Sequence, residues 1–199
     1  TSEKETAEIF ETNFTPHLKV KQPKVLIPVL QGTNAEYDLR DAFQAEGFKV
    51  TQLVIKNLTH DDFKQSISSF ISALNDHHVL VIAGGAIFGN QPDEIGRAWE
   101  IILTRQDVKE AIHQHLASKH LIFGSGTGLA PLMATGLIEH GKITKQTNLQ
   151  LLPNKEDKFI SDLVEAKVIS GHSAWSRNLA GERYTTAVAT AWGRIDLGS

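Results

Sequence analysis

The chain has 199 residues, of which 41% are hydrophobic and 22% charged, and its formal net charge is −3 at pH 7. These values are typical of one soluble globular domain with an extension, and they provide no basic surface for nucleic acid. The chain has no cysteine, which excludes disulfides and thiol chemistry, and no apolar run reaches the roughly 20 residues of a membrane span, so we predict a cytoplasmic protein without membrane contacts.

Apolar runs alternate with helical patterns along most of the chain. Residues 1–22 are polar and lack a sustained period, so we predict a linker or an arm there and a domain over residues 23–199. Four strands are predicted at residues 24–30, 48–55, 78–83 and 121–123, with helices at 34–46, 59–74, 93–116 and 129–137, the third broken near Gln106. This alternation predicts an α/β fold with a doubly wound, mostly parallel sheet. Strand patterns at 148–152, 163–170 and 184–192 predict a divergent, β-rich extension over residues 142–199, a small antiparallel appendage on the sheet.

Two predicted strands end in glycine-rich turns, which are Gly84-Gly85 and Gly124-Ser125-Gly126-Thr127-Gly128. Ligands of open α/β sheets bind beyond the carboxyl ends of the strands, so both turns should face one crevice. Three interpretations are open. Glycines can simply make tight turns. Phosphate binding is less favoured, because the second turn follows the fourth strand and lacks both the G-x-G-x-x-G spacing and a Walker lysine. A G-x-Nu-x-G nucleophile elbow fits the spacing, with Gly126 in place of the nucleophile.

Residues 23–38, P-K-V-L-I-P-V-L-Q-G-T-N-A-E-Y-D, resemble the opening of the glutamine amidotransferase domain of the large, single-chain phosphoribosylformylglycinamidine synthases. The similarity continues through Gly84-Gly85, Gln91-Pro92-Asp93 and the second glycine turn, and it weakens after residue 145. The resemblance implies a flavodoxin-like, class I amidotransferase-like fold. In that family a cysteine at the elbow attacks glutamine, a histidine followed two residues later by a glutamate activates it, and the ammonia feeds an ATP-dependent ligase.

The chain departs from this family at the residues that carry the chemistry. Gly126 stands at the position of the cysteine, and Gly85 and Thr127 stand where backbone N–H groups form the oxyanion hole. The family's glutamine shortly after the nucleophile corresponds to Ala130, and a small polar residue beside it to Leu129. No histidine precedes a glutamate by two positions, and the segment expected to carry that pair lies beyond Ser199. Residues 189–194 align with a His-Gly-Glu-Gly-Arg-type segment of the family, in which Thr190 and Trp192 replace the histidine and the glutamate. The resemblance therefore implies a catalytically inactive domain whose vestigial oxyanion pocket consists of Gly84, Gly85, Gly124, Ser125, Gly126, Thr127 and Gly128.

The predicted role of such a domain is structural or regulatory. We expect it to pack against a synthase-type partner domain or another copy of itself, or to hold a small amide or amino-acid ligand, without a cofactor. The alternatives are a fragment of a synthase whose ligase domains lie elsewhere, a hydrolase using Ser125 or Thr127, and a member of the intracellular protease and chaperone superfamily. The last two are weakened because Ser125 and Thr127 point away from the apex and the superfamily's elbow also uses cysteine.

Histidines and tryptophans provide the remaining candidates. His77, His78, His113, His115 and His120 have spacings reminiscent of metal ligands, but residues two apart on a helix do not share a face, so we predict solvated side chains and no metal. Trp99, Trp175 and Trp192 are predicted to be anchors in the core or an interface.

Overall fold

A parallel sheet of four strands forms the centre of the molecule in the computed structural model, which describes residues 20–85 and 96–198. The strands are β1 (Lys24–Val29), β2 (Lys49–Val54), β3 (Val79–Ile82) and β4 (Leu121–Gly124). Their order is β2-β1-β3-β4, and every neighbouring pair is parallel. The predicted doubly wound, flavodoxin-like α/β fold is confirmed. The predicted arm at residues 1–22 lies almost entirely outside the described residues, as does the Gln91-Pro92-Asp93 segment.

Helices follow the strands as the sequence patterns predict, with one exception. They are α1 (Glu36–Ala45), α2 (His60–Asp76), α3 (Arg97–Thr104), α4 (Gln106–Ala117), α5 (Leu129–Ala134) and α6 (Leu137–His140). The hydroxyl of Thr59 caps α2 by accepting a hydrogen bond from the Asp62 N–H at 3.1 Å. The break predicted near Gln106 is confirmed at Arg105, whose backbone is extended.

The exception is the helix predicted to run from the elbow through Leu137. It is interrupted between α5 and α6, because Gly136 has a φ of +80°, which lies in the left-handed region that a right-handed helix cannot include. A Cβ at Gly136 would also lie 2.5 Å from Thr144 Cγ2. The close approach of the chain at residue 144 therefore fixes the break.

The core lies on both faces of the sheet. Alternate residues of β1 and β3 point to opposite sides, so Leu26, Leu80 and Ile82 pack with α2, α3 and α4, where Phe70, Trp99 and Ile112 are fully buried. On the other face, Val25, Ile27 and Val81 pack against Leu39 and Phe43 of α1. The prediction that Trp99 is a core residue is confirmed.

The C-terminal strands are antiparallel, as predicted, but among the described residues they do not join the central sheet. β5 (Gln150–Leu152) pairs with β8 (Arg194–Asp196), a strand that the sequence pattern did not predict, and β6 (Ile160–Lys167) pairs with β7 (Arg183–Thr190). The β6–β7 ribbon belongs to a compact unit at Lys158–Ala191, whereas the central sheet, β5 and β8 belong to a second unit. No helix in the described ranges has the length and apolar character needed to cross a bilayer.

Candidate functional site

Three loops meet at the carboxyl ends of β1, β3 and β4. Thr33, after β1, forms an isolated bridge with Gly85, and the N–H of Asn34 donates to the Gly84 carbonyl at 3.2 Å. The Ser125 N–H, after β4, donates to the carbonyl of Ile82 at 3.1 Å. The structure thus brings together the two glycine turns that the sequence placed at one crevice, and it adds the loop after β1.

The turn after β4 has the shape of a nucleophile elbow. β4 ends at Gly124, a single 3₁₀ turn covers Gly126–Gly128, and α5 begins at the next residue. Gly126 is exposed at the apex with a φ of +54°, the left-handed conformation that makes so sharp a strand-to-helix turn feasible.

The elbow glycines differ in the space around them. A Cβ at Gly128 would collide with the backbone carbonyl of Ile82, and a Cβ at Gly84 would lie 2.7 Å from the Ser125 carbonyl oxygen. These positions need glycine because two backbone segments touch there. Among the described residues, the atom nearest to a Cβ at Gly126 would be the Gly84 Cα at 4.0 Å, an ordinary contact distance. The described residues therefore leave room for a side chain at the apex, although Gly126 has none.

The hydroxyl of Thr127 occupies both backbone polar groups of Gly85. It accepts a hydrogen bond from the Gly85 N–H at 3.0 Å and lies 2.8 Å from the Gly85 carbonyl oxygen, to which it can donate. The sequence comparison assigned the Gly85 N–H to an oxyanion hole. In this structure that donor is already used, so an oxyanion would have to displace the Thr127 hydroxyl before it could be stabilised there.

Glu36 is a residue near this crevice that the sequence analysis missed. It begins α1, three residues after Thr33, and is only 7% exposed. One of its carboxylate oxygens, Oε2, has no hydrogen-bond partner among the described residues. An acidic residue in the first turn of a helix normally indicates only a favourable interaction with the helix dipole, so no sequence pattern indicated its burial.

The family model for the CobB/CobQ-like glutamine amidotransferase domain matches residues 22–199. The chain belongs to this family. A solved structure of PurLQS from Thermotoga maritima superposes with a TM-score of 0.65 over 89% of this chain and 71% of that chain, at 20% sequence identity, and this likeness shows the fold. No curated protein sequence matches the chain significantly.

Next to the elbow, this CobB/CobQ-like domain has a hollow of about 420 Å³, which we call the α5 hollow. Its described lining comes from α3, α5, the β5 segment and the chain just before β8. The lining residues are Glu100 of α3, Ala130, Met133 and Ala134 of α5, Thr147 and residues 149–152 of the β5 segment, and Trp192. The sequence pattern predicted neither the hollow nor the meeting of Ala130 and Trp192, because these residues are distant in the chain and β8 was not predicted.

The histidines form no metal site within the described ranges, where no group of three or more potential ligands is found. The prediction that they are solvated is wrong for His77 and His115, which are buried. The two ring nitrogens of His77 bond to the Ala73 carbonyl and the Thr51 hydroxyl, and His115 Nε2 lies 3.1 Å from the Leu121 carbonyl. Burial lowers the pKa of His115 to about 4, so the imidazole is neutral at pH 7. These histidines are structural.

Proposed function

We propose that the chain is a catalytically inactive glutamine amidotransferase-like domain with a structural or regulatory role. The observation that carries the proposal is Gly126 at the exposed apex of the elbow. Amide hydrolysis through a covalent intermediate requires a nucleophilic side chain at this point, and glycine has none. Removing the nucleophile from a hydrolytic site of this kind typically lowers kcat by about a millionfold.

The Thr127 hydroxyl supports the same proposal independently of Gly126. Its two close contacts with Gly85, at 3.0 Å and 2.8 Å, engage the donor that the family resemblance assigns to the oxyanion. A preorganised donor that points at an empty space contributes several kcal/mol to such a reaction, whereas a donor already bonded within the protein has to be released first. Restoring the nucleophile alone would therefore leave the site incomplete.

The structural likeness to PurLQS supports a role in an assembly related to purine biosynthesis. We propose that the domain packs against a synthase-type partner subunit in the cytoplasm, with a second copy of the chain as the other candidate partner. The vestigial pocket from Gly84 to Gly128 would then hold a small amide or stay empty. The resemblance of residues 23–38 to the large single-chain synthases favours a second candidate function, in which this domain is one part of a longer synthase chain whose ATP-dependent ligase activity resides in other domains.

A glutaminase assay with ammonia detection tests the proposed inactivity. The chain and its Gly126→Cys variant, at high enzyme concentration, are both expected to release no more ammonia from glutamine than heat-inactivated samples do. Turnover by the unaltered chain above that background would refute the proposal. Turnover by Gly126→Cys alone would show that Thr127 does not block the site and that Gly126 is the single lesion. For the second candidate, a reading frame that continues into a glycine-rich, ATP-binding region would support it.

A further inference from the structure

We propose that the α5 hollow binds a small, uncharged aromatic molecule. The hollow has a volume of about 420 Å³, within the range of about 300–1,000 Å³ that is usual for small-molecule sites. This inference goes beyond the proposed function, which leaves open whether a pocket of this domain holds a ligand and of which chemical class.

The lining of the hollow is mixed, with slightly more apolar than polar surface. Ala130 and Met133 of α5 are buried, and Leu149, Leu151 and Leu152 add aliphatic surface from the β5 segment. Trp192 contributes an aromatic side chain, which prefers offset or edge contacts with another aromatic ring. Sites of this kind gain affinity from apolar area removed from water, with a few polar groups that set the orientation.

Two lining positions have lost the polar groups that the family resemblance assigns to them. Position 130 corresponds to a glutamine and position 192 to a glutamate, but the chain has alanine and tryptophan there. The structure places both residues in the lining of one hollow. A zwitterionic amino acid would lose its hydration on entering and would find neither of these two polar groups in return, which is costly, whereas an aromatic ring loses little. The substitutions therefore favour an aromatic ligand over glutamine.

The charged group that remains in the lining is already paired. Both carboxylate oxygens of Glu100 accept hydrogen bonds from Arg97 Nη1 at 2.8 Å. Thr147 Oγ1 likewise donates within the protein, to the Met133 carbonyl at 3.0 Å. Because these groups are satisfied before any ligand arrives, they add little attraction for a cation, and an uncharged ligand matches the hollow best.

Trp192 is held by elements of the same compact unit as the rest of the lining. The next residue, Gly193, donates its N–H to the buried Asn154 Oδ1 at 2.9 Å, and Arg194 then pairs with Leu152 in the β5–β8 ladder. The backbone that follows Trp192 is therefore fixed by these contacts. A site built on such fixed elements loses less free energy on binding than one that must be ordered first.

Saturation-transfer NMR with indole as the probe tests the inference, with L-glutamine as the contrast. Indole is expected to receive saturation from the chain, and glutamine is not. An Ala134→Phe variant should fill the hollow and weaken indole binding by about tenfold or more, because Ala134 lines it from α5. The matched control is Ala45→Phe, an exposed alanine of α1 outside the lining, which should leave binding unchanged.

A second variant keeps the test decisive if Ala134→Phe does not fold by circular dichroism. Trp192→Glu introduces the carboxylate that the family resemblance expects and should weaken indole binding to a similar degree. The inference is overturned if indole does not bind the unaltered chain, or if both hollow variants bind it as the Ala45→Phe control does. Ammonia release bears only on catalytic inactivity, so failure of the indole experiment and failure of the proposed function are separate results.

Discussion

Lowering the pH from 7 to 5 is expected to destabilise the fold through His115. This side chain is 3% exposed, its Nε2 lies 3.1 Å from the Leu121 carbonyl, and its ring centroid lies 4.8 Å from that of His120. Burial lowers its pKa from 6.5 to about 4, and the charges of His120 and His78 act in the same direction. The imidazole therefore takes up a proton more readily after unfolding.

The sign and size of the effect follow from proton linkage. Because the pKa is lower in the folded state, the stabilisation is fully present above pH 6.5 and is lost as the pH falls towards 4. At pH 5 the unfolded chain holds nearly one extra proton at this site, which lowers the free energy of unfolding by about 2 kcal/mol relative to pH 7. His120 shares the direction, because its pKa is also lowered by burial and by His78, so the whole protein should lose more.

Urea unfolding at pH 7 and pH 5 measures the effect in the unaltered chain and in His115→Gln, whose amide can still donate to the Leu121 carbonyl. The difference between the two pH values should be smaller by about 2 kcal/mol in His115→Gln. His60→Gln, at an exposed histidine of α2, should keep the full difference. An unchanged pH dependence in His115→Gln would refute the assignment of this effect to His115.

Two further predictions concern the crevice and the core. Thr127→Val should lower the free energy of unfolding by about 1–3 kcal/mol in a urea titration, because the Gly85 N–H and carbonyl then lose their hydrogen bonds to the hydroxyl. Thr127→Ser keeps the hydroxyl and should cost little. Equal losses in the two variants would show that these hydrogen bonds are not the cause. Phe70→Ala should cost about 3–5 kcal/mol, because Phe70 of α2 is fully buried in the core cluster. Phe159→Ala, at a side chain 65% exposed, should stay within about 0.5 kcal/mol.

The central sheet was predictable because its buried strands are continuous apolar runs, and α2 because Thr59 caps it and its apolar residues recur at helical spacing. Details that depend on tertiary contacts were harder to predict from the sequence. In α1, the apolar residues of the sequence include Ala42 and Ala45, but these two are exposed, because Leu39 and Phe43, one turn apart, are the residues of this helix that pack against the sheet. Local spacing indicates a stripe but does not fix its width.

In the candidate site, too, features set by local patterns were predictable and features set by tertiary contacts were not. The two glycine turns could be placed at one crevice, since carboxyl ends of parallel strands share an edge. The contact between the Thr127 hydroxyl and Gly85 joins residues 42 positions apart and depends on the orientation of one side chain, which no local pattern encodes. The α5 hollow likewise requires Trp192 to return to α5 through the unpredicted pairing of β8 with β5.

Gly126 and Gly128 offer a final test of how the elbow has changed. Gly126→Ala should cost about 1–2 kcal/mol, because φ is +54° but the nearest atom of the described residues would be 4.0 Å from the new Cβ. Gly128→Ala should cost about 3 kcal/mol or more, because its Cβ would meet the Ile82 carbonyl, which belongs to a fully buried strand and cannot move aside.

Urea unfolding of both variants measures the contrast between the two glycines. Equal costs would mean that packing requires glycine at the apex as strictly as beside it, and the interpretation of Gly126 as the place of a lost side chain would then fail. The expected difference would instead support the proposal that inactivity arises from the residue at the apex and the hydroxyl beside it rather than from a collapsed turn, because the turn itself would still accept a side chain.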